Sequence, residues 1–219
     1  MLFPNMLSPP NIVAGILIPG STEELTFRAI SRLERPPIHR YVLARDLFLA
    51  VLRGRSLDWA LNQAESSRLS DQRMHAITLL RACGPFLESH QGTLISETPR
   101  VFWEASELLK LPNLHGAVVQ VESHRSLALF HFWRSELRAD RMSLIKTAVQ
   151  SALWRSPGLA GIEISIITAP FNDVLKRRCY RRISCDSGCA EPEELEQFGS
   201  RLSDVWSRYH EQHPTRSWP

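Results

Sequence analysis

A chain of 219 residues, 43% of them hydrophobic and 22% charged, can bury a sizeable core and has the balance of an ordinary globular protein, which argues against disorder and against a membrane class. The net charge of +3 is too small for a chain of this size to be a nucleic-acid signature by itself. Of 26 basic residues only Lys110, Lys146 and Lys176 are lysines. This arginine excess reflects either codon bias in a GC-rich genome or recognition of phosphate and carboxylate by the planar guanidinium.

Residues 1–20 read as an extended apolar arm, rich in proline, with a short strand at Ile12 to Ile18. That run is too short to span a bilayer and lacks a basic region before it, so neither a membrane span nor a signal peptide is expected, and the chain is expected to be cytoplasmic. Residues 21–92 read as a helical subdomain. Ser21 and Thr22 open a helix over 23–33, with Phe27, Ile30 and Leu33 inward, and Pro36-Pro37 ends it. From 38 to 53 the apolar positions Val42, Leu43, Leu47, Phe48, Val51 and Leu52 make a helical stripe that Gly54 closes. Ser56 caps a short helix through Ala64, and Ser70 caps a fourth that carries Met74, Ile77, Leu80 or Leu79, and Cys83 or Gly84 inward, with Pro85 near its end. Helices joined by short polar turns suggest an antiparallel bundle. The run Val51-Leu52, Gly54, Ser56-Leu57-Asp58 and Leu69-Ser70-Asp71 resembles the cadence of helical RNA-binding bundles of the transcription antitermination type. That likeness is confined to residues 44–80, and the back half does not follow that family.

The pattern changes after Gly92, where residues 93–190 read as a mixed α/β subdomain. Residues 93–103 are β-rich but broken by Pro99, and Glu104 to Leu109 reads as a helical turn or an irregular edge. Two strands follow, Ala117 to Glu122 and Leu127 to Trp133, with Ser123 to Ser126 as the hairpin loop. The second is apolar on both faces and is expected at the centre of a covered sheet. A helix over 139–154 and a strand over 161–168 can complete a parallel crossover, and residues 174–184 add an edge strand or a short helix. An amphipathic helix over 191–213 and a tail over 214–219 end the chain. The fold class expected is α+β or mixed α/β: an N-terminal helical bundle followed by a small mixed sheet covered by helices.

Three constellations bear on chemistry. Lys176, Arg177, Arg178, Arg181 and Arg182 surround Tyr180 and could hold a phosphate backbone while the tyrosine stacks on a base; otherwise they form a solvated face paired with acids such as Glu191, Glu193 and Glu194. Cys185 and Cys189 with His210 and His213 could ligate zinc, although the histidine spacing is short and single cysteines in a turn-rich segment are more often incidental. Glu122 and Glu163, which end or line strands, suggest a metal-dependent phosphodiesterase; the lysine such a site needs is missing beside both. No glycine-rich phosphate loop or nucleophile elbow occurs. Cys83 and His131 lie in apolar patterns and read as core residues.

The reading that follows is a non-enzymatic binding or assembly protein with no required cofactor. Its partner is a protein, a second copy of the chain or nucleic acid, met through an arginine-rich surface. The rival reading is an active or degenerate nuclease-like domain.

Overall fold

Ser56 caps a helix as its position predicts: its hydroxyl accepts the Trp59 N–H at 3.1 Å. The computed structural model describes residues 41–97, 102–106, 109–112, 116–132, 139–154, 159, 162–185, 189 and 191–212. The arm over 1–20, the helix expected over 23–33 and the tail over 214–219 lie outside the described residues.

Four helices open the described chain: α1 (Val42–Leu52), α2 (Leu57–Glu65), α3 (Ser70–Ala82) and α4 (Gly84–Ser89). Gly54 ends the first with φ +113°, a conformation that L side chains rarely adopt. Ser70 is the first residue of α3 rather than its cap; Leu69 holds the cap position and gives no side-chain hydrogen bond. Pro85 sits in the first turn of the separate helix α4, where its missing N–H costs nothing.

After Gly92 the chain becomes β-rich, with β1 (Leu94–Glu97), β2 (Phe102–Ser106), β3 (Leu109–Pro112), β4 (Gly116–Val121) and β5 (His124–His131). Helix α5 (Ala139–Trp154) leads to β6 (Glu163–Thr168), the short β7 (Phe171–Asn172) and β8 (Arg177–Arg178), β9 (Arg181–Ser184) and α6 (Pro192–Gln212). The main sheet has the order β1-β4-β5-β6-β9, in which β5 and β6 alone run parallel. Glu104 to Ser106 and Leu109, open between a helical turn and an irregular edge, belong to an antiparallel pair of β2 with β3. The β4–β5 turn is only Glu122 and Ser123, because Val121 pairs directly with His124. Glu122 takes φ 55° there, the conformation glycine usually supplies, so no turn residue in the sequence marked it. Gly116 lets β4 approach β5 closely: a Cβ there would meet Ala128 O at 2.3 Å.

Strand alternation divides the sheet into two buried faces. One face presents Ala117, Val119, Ala128, Phe130, Phe132 and Ile167, which share a single core cluster with Phe48, Leu52, Leu79, Leu80 and Leu87 of the helices. Phe48 meets Phe130 at 5.5 Å and Phe132 at 4.9 Å, both edge to face. The other face presents Val118, Leu127, Leu129, Ile164 and Ile166, all buried and none of them part of that cluster. Gln150 Nε2 of α5 donates to Cys185 O at 3.0 Å and ties that helix to the end of β9. Helix α6 buries Leu195 and Phe198 and lies against β2 and α5. No helix among the described residues is long and apolar enough to cross a membrane.

Because the helices and the sheet share one core, Phe48→Ala should cost about 3–5 kcal/mol. Helical and near-ultraviolet circular dichroism should lose signal together in urea, and separate transitions for the two blocks would contradict the shared core.

Candidate functional site: a basic hairpin on the crossover sheet

Antiparallel pairing of β7 with β8 sets Phe171 opposite Arg178 and Asn172 opposite Arg177. Between them Asp173, Val174, Leu175 and Lys176 form the turn. Asn172 shapes it: its Oδ1 accepts the N–H groups of Val174 at 3.0 Å and Leu175 at 2.9 Å. Lys176 closes it with φ 50°. The result is a tip on which Val174 is 89% and Leu175 53% exposed.

The base of this hairpin is tied down. Arg178 is buried, and its Nη1 donates to Phe132 O at 3.0 Å and Ala169 O at 2.9 Å. It thereby links the chain just beyond the carboxyl ends of β5 and β6, the parallel pair. Cys179 N donates to Pro170 O at 2.9 Å and extends the ladder toward the sheet.

Five cations and a tyrosine that are close in sequence therefore do different things. Arg178 is an internal strut. Tyr180 is half-buried and stacks toward Phe86 at 6.3 Å, so its ring is engaged in the core. Burial pushes its hydroxyl pKa up, against the pull of Arg182. Arg182 Nη2 donates to Glu163 Oε1 at 2.9 Å. Lys176, Arg177 and Arg181 are exposed. Period-2 alternation accounts for Arg177 lying outward while Arg178 lies inward. The acids Glu191, Glu193 and Glu194 stand in the first turn of α6 and just before it, exposed; Arg182 pairs with Glu163 instead.

Around the strut lie two groups whose titration it shapes. Burial raises the Cys83 thiol to about 12, with Arg178 pulling the other way. His131, buried and hydrogen-bonded through Nδ1 to Thr168 Oγ1 at 3.2 Å, is lowered to about 4 by burial and then by Arg178. Both are core residues, as expected.

The other candidate residues stand apart from this hairpin. Glu122 is exposed in the β4–β5 turn, and Glu163 begins β6 at the same end of the sheet. The Glu163 carboxylate is held by Arg182, with His124 Nε2 3.8 Å away. Cys185 is buried, while the exposed Cys189 directs its thiol to Gln150 Oε1 at 3.2 Å and Cys185 O at 3.6 Å. His210 lies in the last turn of α6, about 27 Å along the axis from Pro192 at the usual helical rise, and His213 lies outside the described residues. Among the described residues no three or more His, Cys, Asp or Glu side chains gather where they could hold a metal ion.

The apolar tip escaped the sequence reading. Its signal was Asn172-Asp173 followed by two apolar residues and Lys176, a turn whose apolar centre has no place in a core. Comparison with known proteins gives no match: no family model fits the chain, and no curated protein or solved structure is significantly similar to it.

Arg178→Ala should lose about 2–4 kcal/mol, because two buried carbonyls lose a charged donor, whereas Arg177→Ala should change stability by less than about 0.5 kcal/mol. Chemical denaturation of the two variants measures the contrast. The depressed His131 pKa also has a sign. Above pH 6.5 both folded and unfolded states carry it neutral; below that the unfolded state takes the proton first. Stability should therefore fall as pH drops from 6.5 toward about 4, and urea midpoints in His131→Gln should fall less over the same window.

Proposed function

We propose that this chain is a non-enzymatic binding protein that contacts nucleic acid through the outward cations of the β7–β8 hairpin. The observation that carries the reading is the exposed tip: a turn anchored by Asn172 and Arg178 presents apolar side chains beside Lys176 and Arg177. Exposed loop segments on a rigid scaffold are where proteins concentrate recognition. Cations there release counterions from a phosphate backbone, which gives affinity with little sequence preference. Arg182 is assigned no part in this contact, because Glu163 already holds it.

Fluorescence anisotropy of a labelled mixed-sequence duplex over a salt series tests the reading. With Lys176 and Arg177 each meeting a phosphate, log K should fall against log salt with a slope of about −2. Changing both to Ala should flatten that slope and weaken binding at least about tenfold at low salt. Arg182→Ala should leave it nearly unchanged, and Asp173→Asn should strengthen binding by removing a carboxylate from the tip. Absence of salt-dependent binding to duplex and to single-stranded DNA and RNA would overturn the proposal.

A further inference from the structure

The cations explain attraction to a polyanion, but not why two aliphatic side chains stand in water at the same tip. We infer that Val174 and Leu175 form an apolar wedge that enters the base stack of duplex DNA; this rests on the nucleic-acid reading above.

Three features fit a wedge. The first is rigidity. Asn172 Oδ1 holds the Val174 and Leu175 amides, and Arg178 fixes the hairpin base to two carbonyls of the sheet, so pushing the tip against a base step does not simply fold it back. The second is shape: a two-stranded ribbon is narrow enough to approach a DNA groove, and its outermost point is the adjacent aliphatic pair. The third is charge placement. Lys176 and Arg177 directly follow the pair in sequence and are exposed, so they can meet phosphates flanking the opened step. Aliphatic side chains that unstack a step and bend the duplex are an established way of joining apolar burial to phosphate contact. Burial of both tip side chains offsets part of the unstacking cost.

Other polyanions fit less well. Single strands are held by aromatic platforms, and the turn carries none; Tyr180 is engaged with Phe86. An anionic membrane is usually met by a broad apolar face, whereas here two side chains adjoin the carboxylate of Asp173.

The test uses the full chain and a mixed-sequence DNA duplex carrying 2-aminopurine at its centre and a fluorophore pair at its ends. Binding should raise 2-aminopurine emission and shorten the end-to-end distance. Val174→Ser/Leu175→Ser, checked for native circular dichroism, should abolish both signals and bind several-fold more weakly while keeping the salt dependence. Duplex binding with neither signal, or with signals that survive in the double variant, overturns the wedge and leaves the nucleic-acid reading standing. Failure to bind any nucleic acid overturns both. Binding to phosphatidylserine vesicles that needs Val174 and Leu175, without duplex binding, assigns the tip to a membrane and likewise overturns both.

Discussion

Strand β5 has no face it can show to water. Leu127 and Leu129 on one side and Ala128, Phe130 and Phe132 on the other are all buried, so the strand is stable only when two layers cover it. The helices supply one layer through Phe48, set edge to face against Phe130 and Phe132. On the opposite face Leu127 and Leu129 are buried with Val118, Ile164 and Ile166, apart from that cluster. The order of strands, the shared core and the place where the hairpin leaves the sheet follow from this requirement.

The parallel pairing of β5 with β6 has a second effect. Both strands end at the same side, and the carbonyls of Phe132 and Ala169 lie just beyond their ends. Arg178 satisfies both at once with Nη1, and so converts a basic residue from a run of cations into an internal tie. The surface charge of the segment is lower than its sequence suggests for that reason. What remains outward is small, local and set beside an apolar point.

Strong periodicity made much of the fold legible. The stripe of α1, the two-sided apolar run of β5, the crossover and the span Pro192–Gln212 can be read from spacing, because burial imposes it. In α3 spacing points Met74 inward, yet it is 66% exposed and the buried residues are Ala76, Leu79 and Leu80. Weak periodicity hid the β2–β3 pair, whose strands are short and follow Pro99. The β4–β5 turn was hidden because Glu122 occupies a conformation that glycine normally marks. The basic run could be seen as charge but not divided into roles. That division needs the register that sets Arg178 opposite Phe171, and register is a property of pairing rather than of the run itself.

Cys83 gives this architecture an internal clock. Its thiol lies sealed between the helices and the sheet, and burial holds it protonated far above the range where thiolates form, whereas Cys189 is exposed. A thiol-directed reagent therefore meets Cys189 on the native surface and Cys83 only when the helical layer lifts from β5. With Cys179, Cys185 and Cys189 changed to serine, the rate at which the remaining thiol disappears counts those openings without denaturant.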